Sequence, residues 1–208
     1  MHKLYIFDDF ENLSKNNLQN YVNIMPLERI KKYNQYSSDK NKLNCLVSYL
    51  LLWFSLKQNH LIKIPPSFIY GDNQKPYIKQ NINIFFNISH TNGCVVCATS
   101  DSEIGVDVEK IRSINLNISR KICTPYEQKL FNQSSNKSNF LLKIWTKKES
   151  YVKMNSGSIF ANYSKIDTTI LSNIYCFKHK NFIISISLKN YTTMNPIEVS
   201  TSDILNLL

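Results

Sequence analysis

The chain has 208 residues, 43% hydrophobic and 12% aromatic, with only six Pro and four Gly. This excludes a disordered or collagen-like chain and suits one large domain or two small halves sharing a core. The net charge of +10 admits a polyanionic partner, yet the many Asn, Ile and Lys read as a compositional bias that raises the charge without a functional cause.

The N-terminus, MHKLYIFDDF, meets two acids before an apolar core can form, so it does not read as a secretory signal. Residues 4–7 predict a strand and 13–22 a weak helix. Pro26 opens a helix over LERIKKYNQY, and Ser38 or Asp39 caps the next, which runs to about Asn59. Leu43, Leu46, Val47, Leu50, Leu51 and Phe54 recur there at helical spacing, which predicts a central core helix. The most apolar run, 46–56, is broken by Ser48 and Ser55 and is too short to span a membrane. Residues 68–70 predict a short strand and 71–73 a turn. Strands at 84–89 and 93–99 form a hairpin through His90-Thr91-Asn92, leading into a strand at 104–109. Short helices at 115–123 and 125–131, a polar loop at 134–138, a long helix at 139–154, a turn at 155–157 and strands at 168–177 and 182–188 follow. Each half thus offers helices and then strands. We expect an α+β fold of two similar halves, 1–103 and 104–208. The five scattered Cys read as reduced thiols of a cytoplasmic protein. Cys94-Val95-Val96-Cys97 has metal or redox spacing, but on a strand i and i+3 face opposite ways, so we read buried thiols.

In IGVDVEKI, residues 104–111, apolar positions alternate with Gly105, Asp107 and Glu109, the pattern of a half-buried strand. Asp107 and Glu109 then share a face, with Cα atoms roughly 6.5 Å apart. Two readings stand: a solvated edge strand, or two acids gathered by a cation. On the 139–154 helix, Trp145, Glu149 and Lys153 share one side at i, i+4 and i+8. A surface Glu149–Lys153 pair, worth about 0.2–0.5 kcal/mol, is the ordinary reading. The sharper one makes Glu149 a third carboxylate at the same ion. Three oxygen ligands without His or Cys favour Mg²⁺, with Lys153 neutralising phosphate one turn away. Ser89 and His90, ending a strand, are either phosphate ligands or solvated turn residues. Lys75-Pro76 follows a turn and says nothing alone. Arg29, Lys31, Lys32, Lys40 and Lys42 form a basic cluster, ordinarily a solvated face. No glycine-rich phosphate loop and no G-x-S-x-G elbow is present.

FNISH at 86–90, GVDVE at 105–109 and WTKKESYVK at 145–153 resemble, in order and spacing, the motifs of Sfp-type 4′-phosphopantetheinyl transferases. The resemblance covers most of the chain, from Pro26 to Lys153. It implies the transferase fold of two α/β subdomains in pseudo-twofold arrangement, with the active site at their interface. It implies transfer of the phosphopantetheine arm of coenzyme A to a carrier-protein serine, releasing adenosine 3′,5′-bisphosphate. By motif position Asp107, Glu109 and Glu149 would hold Mg²⁺, and Glu149 would also act as base. Lys153 would stabilise the bridging phosphates. Ser89 and His90 would meet phosphate, Lys75 and Pro76 the adenine, and Lys31 and Lys42 the 3′-phosphate. Three departures stand out: Gln74 where Gly is usual, Glu28 where a cation is expected, and Lys42 where Arg is common.

Residues 111–125 alternate Ile114, Leu116, Ile118 and Ile122 with Arg112, Arg120 and Lys121. They fit either an acidic helical carrier or an ordinary amphipathic helix against the core. We expect a monomer, with coenzyme A and an apo-carrier as partners and neither nucleic acid nor membrane. The competing readings are a metal-dependent nuclease and a non-catalytic carrier- or nucleic-acid-binding module. Against the nuclease, Lys110 falls on the face opposite Glu109.

Overall fold

A computed structural model describes residues 2–13, 15–59, 61–71, 75–80, 82–155, 162–189 and 194–207, without the side chains of 15–17 and 19. Gln74 and most of the turns expected at 71–73 and 155–157 lie outside the described residues. The elements in order are β1 (Lys3–Phe7), α1 (Lys15–Val22), α2 (Leu27–Gln35), α3 (Asp39–Gln58), β2 (Phe68–Tyr70), β3 (Pro76–Ile78), β4 (Phe85–Thr91), β5 (Cys94–Ser100) and β6 (Ile104–Lys110). Then come α4 (Ser119–Ile122), α5 (Pro125–Gln133), α6 (Lys137–Met154), β7 (Ile174–His179), β8 (Phe182–Leu188), β9 (Pro196–Glu198) and α7 (Thr201–Leu205). Among the described residues no helix is long and apolar enough to cross a membrane.

The fold is mixed α/β, built on a four-stranded sheet (β4-β5-β1-β9), a three-stranded sheet (β6-β8-β7) and the β2-β3 ribbon. Helix α3 is buried from Asn44 to Leu56. Its polar start is closed by Ser38, whose hydroxyl accepts the Asn41 amide at 3.2 Å. An uninterrupted buried run explains why this helix shows almost no amphipathic bias: it is enclosed on every side.

Strands β1 and β5 serve two cores, because alternate side chains leave a sheet on opposite faces. Tyr5, Phe7, Val95 and Cys97 pack with α3. Leu4, Ile6, Cys94, Val96 and Ala98 meet Ile104, Val106, Val108, Ile184 and Ile186 of the second sheet. Cys94 and Cys97 therefore enter different cores, and burial raises both thiols to about 12, so neither is a ready thiolate.

Four expectations change. The β4–β5 turn is Asn92-Gly93, with Gly93 at φ +84°, and His90 lies within β4, paired to Val95. Strand β6 is not half-buried: residues 104–108 are buried on both faces. One face feeds the inter-sheet core, and the Gly105-Asp107 face lies beneath α6. A Cβ at Gly105 would fall 1.9 Å from the Ser150 carbonyl oxygen, so only glycine lets α6 come this close. Strand β6 also leaves its predecessor's sheet and pairs with β8 instead. The strand expected from 168 begins only at Ile174, while β3, β9 and α7 had no counterpart in the reading. After the second sheet the chain returns to the first, where β9 pairs parallel with β1.

Candidate active site

Strand β4 of the first sheet lies across β6 of the second. The Asn87 side-chain oxygen accepts the Val106 amide at 2.9 Å, fixing the two strands to each other. Two residues further along β4 and one further along β6, Ser89 reaches Asp107: its hydroxyl donates to Oδ1 at 2.8 Å. From α6, Lys153 Nζ donates to the same Oδ1 at 2.7 Å, to Ser89 Oγ at 3.1 Å and to the Val106 carbonyl at 3.3 Å. Asp107 is 6% exposed, and its other oxygen, Oδ2, is buried with no hydrogen-bond partner. A buried acceptor left unsatisfied costs about 1–3 kcal/mol, which a bound cation or donor would relieve.

Ile88, Ser89, His90, Asp107, Glu109, Trp145, Glu149 and Lys153 line one cavity of about 370 Å³. Both sheets and α6 contribute, so residues 64 apart in sequence meet here. Glu109 also pairs with Arg112 at 2.7 Å, and Glu149 Oε1 accepts the Tyr163 hydroxyl at 2.5 Å. Burial, then the Glu149 carboxylate, pushes the Tyr163 phenol well above its ordinary range. His90 is held below the usual imidazole value, first by lost hydration and then by Lys153, Lys32 and Arg29.

The three carboxylates share the cavity without closing on one point. Among the described residues, the three ligand atoms lying within 4.8 Å of one another belong to Asp8, His179 and Glu198. There the opposite nitrogens of His179 face the two acids, Nε2 at 3.1 Å from Asp8 and Nδ1 at 4.0 Å from Glu198. Lys180 pairs with both acids. That group clasps the β7–β8 hairpin to the ends of β1 and β9. The Asp107 trio, by contrast, offers oxygen donors only and one unmet buried acceptor, which fits a hard divalent cation.

A second cavity of about 220 Å³ adjoins the first through Ile88 and His90. Aromatic rings of Tyr36, Tyr49, Phe68 and Tyr70 line it, with Pro76, Arg29 and Lys32. Arg29 Nη2 donates to the Cys45 carbonyl at 3.2 Å, while Arg29 Nε and Ser48 Oγ are buried without partners. Lys31 and Lys42 are not brought to either cavity. Arg29 and Lys32 share a face of α2 at i and i+3, about 160° and about 100° respectively from Lys31. Lys42 lies in a separate groove with Nζ 5.7 Å from the Tyr33 ring. Lys75 is not among the lining residues either; it is paired with Glu103 and donates to the Met154 carbonyl. A third, open groove of about 630 Å³ runs from Glu109 and Trp145 over Arg112, Ile114, Ile118 and Lys121.

The reading of the residues missed Tyr163, Glu103 and the role of Asn87. Asn87 stood inside a quoted motif; Tyr163 and Glu103 lay outside every motif and carried no periodic signal.

Residues 103–190 match the family described as "4′-phosphopantetheinyl transferase superfamily". The chain is 26% identical over 144 residues to 4′-phosphopantetheinyl transferase Sfp of Bacillus subtilis, covering 68% of this chain and 64% of that protein. It is 32% identical over 132 residues to 4′-phosphopantetheinyl transferase gsp of Aneurinibacillus migulanus, covering 61% and 54%. The AcpT transferase of Escherichia coli K12 is 27% identical over 130 residues, covering 56% and 62%. The chain thus spans between about half and two thirds of the length of these relatives. The likeness to the 4′-phosphopantetheinyl transferase superfamily is thus carried by residues 103–190, and the likeness to Sfp and gsp extends over 68% and 61% of the chain.

Proposed function

We propose that this chain transfers the 4′-phosphopantetheine arm of coenzyme A to a serine of an apo-carrier protein and releases adenosine 3′,5′-bisphosphate. The observation that carries the reading is the single cavity where Ser89, His90, Asp107, Glu109, Glu149 and Lys153 meet, set between an aromatic cavity and a basic, apolar groove. Each compartment suits one part of the reaction.

The aromatic cavity with Pro76 offers flat apolar walls for an adenine, and Arg29 and Lys32 flank it as cations for a phosphomonoester. His90, shared by both cavities, lies where the nucleotide phosphates would pass from one to the other. Lys153, already bonded to Asp107 and Ser89, would add a fixed positive charge beside the pyrophosphate. Asp107, Glu109 and Glu149 would hold Mg²⁺. When bound, the ion would neutralise charge on the phosphate oxygens.

In the reaction the carrier serine oxygen forms a bond to the phosphorus bearing the pantetheine. The bond from that phosphorus to the bridging oxygen breaks, and the nucleotide leaves with both electrons. Glu149 faces the cavity from α6 and would accept the serine proton. The groove over 111–125, with apolar Ile114 and Ile118 between Arg112 and Lys121, would seat an acidic helical carrier beside Glu149. The reading includes two α/β halves, 1–103 and 104–208, related by a pseudo-twofold axis as one transferase unit, with 194–207 returning to the first half. It also includes a monomer working in the cytoplasm, where its five free cysteines stay reduced.

The test is incubation with Mg²⁺, coenzyme A and a panel of apo-carriers, followed by weighing the carriers. A gain of one phosphopantetheine arm is expected. Glu149→Gln should reduce that gain at least about 100-fold with an unchanged melting temperature. No gain with any carrier, together with cleavage of DNA or RNA, would replace the transferase by a nuclease.

A further inference from the structure

The Tyr163 hydroxyl bond to Glu149 is built from three sides. Lys148, the residue before Glu149 on α6, is fully buried. Its ammonium donates to the Tyr163 carbonyl at 2.8 Å and to the Ile122 carbonyl at 2.5 Å, and it is paired with Glu127. Adjacent helical residues point about 100° apart. The backbone of Tyr163 is therefore pinned by the inward side chain, and its phenol reaches the cavity-facing one. The Tyr163 ring packs on Trp145, one turn before Glu149, with centroids 5.2 Å apart and planes at 37°. Backbone, ring and hydroxyl of the residue that opens the short 3₁₀ helix Tyr163–Lys165 are thus all directed at one turn of α6. Tyr163 itself does not line the cavity.

We infer that Tyr163 is a positioning residue: by holding Oε1 of Glu149 it fixes the carboxylate and presents Oε2 to the carrier serine. The inference rests on the transferase reading and adds a residue to it. A free glutamate side chain samples many rotamers, and a misplacement of about 1 Å in a reacting group can cost roughly 100-fold in rate. A phenol held by its own ring packing is a stiff way to remove that freedom.

Tyr163→Phe keeps the ring on Trp145 and the carbonyl on Lys148 and removes only the hydroxyl. The variant is expected to lose about tenfold in kcat, while its KM for coenzyme A stays within about twofold, because neither Tyr163 nor Glu149 lines the aromatic cavity proposed for the adenine. A crystal structure of the variant should find the Glu149 carboxylate displaced. A kcat within about twofold of the parent, or a loss carried by KM alone, overturns the inference. So does an unmoved Glu149. If the parent chain itself modifies no carrier, the transferase reading falls on that result, and the position of Glu149 in the variant still decides the role of Tyr163.

Discussion

Helix α6 carries two lysines five residues apart, each paired with an acid from another element, and the pairs are built differently. Lys148 and Glu127 are fully buried, with side chains 0% exposed. Lys148 has three acceptors. Glu127 Oε1 accepts from the Thr168 amide and hydroxyl, and Oε2 from Thr124 N and Lys148. Every lone pair facing a donor is engaged, and the pair ties α5, α6 and the segment at 163–168 together. Lys153 and Asp107 are 28% and 8% exposed at their side chains, and Asp107 Oδ2 has no partner. A closed network has nothing to offer a ligand, whereas an open acceptor beside a cation does. The first pair holds the scaffold; the second faces the cavity where chemistry is proposed.

The contrast can be broken at its strong side first. Lys148→Met leaves Glu127 buried and charged without its cation, and should cost about 3–5 kcal/mol in urea unfolding. Replacing Glu127 by Leu as well should restore most of that loss, since an apolar pair needs no partners. A small cost for the single change would show that water reaches the pair. At the open side, Asp107→Asn should leave stability within about 1 kcal/mol, because the partly exposed Lys153 can turn to solvent. Transfer should nonetheless fall roughly 100-fold as the cavity loses its buried charge. Equal loss of stability at both positions would erase the distinction.

The smallest effect sharpens the boundary between the two adjoining cavities. Lost hydration, then Lys153, Lys32 and Arg29, keep the His90 imidazole below its ordinary value. As pH falls through the ordinary value, the unfolded chain takes up a proton before the folded chain does. Stability therefore declines in that window and levels off at the lower folded value. A phosphate seated among these cations reverses the balance and draws a proton onto the ring. Binding of adenosine 3′,5′-bisphosphate should tighten as pH falls toward that lower value, with proton uptake measurable by calorimetry in buffers of different ionisation enthalpy. His90→Gln should remove the uptake; an unchanged proton count would place the phosphate elsewhere.

Much of the site was legible because strand and helix periodicities are local. Period two put Asp107 and Glu109 on one face, and period 3.6 put Trp145, Glu149 and Lys153 on one side; all five line the cavity. The cations of α2 were less legible, since Lys31 and Arg29 differ only by which face the helix turns inward. Three-residue strands such as β3 and β9 carry too few residues for a pattern, and they exist because a neighbouring strand pairs with them. Strand β6 read as half-buried because alternation cannot say whether its polar face meets water or a helix.

What the sequence determined by itself was the order of the longer elements, the central place of α3 in the core, the split of Cys94 and Cys97 to opposite faces, and the spacing of three motifs. Tertiary structure alone decided that β6 leaves its predecessor's sheet, that Gly105 brings α6 down upon Asp107, and that Tyr163 meets Glu149. The reason is physical: periodicity fixes the direction of a side chain relative to its own backbone. The partner it then meets depends on how whole elements pack, and one position without a Cβ sets that distance here.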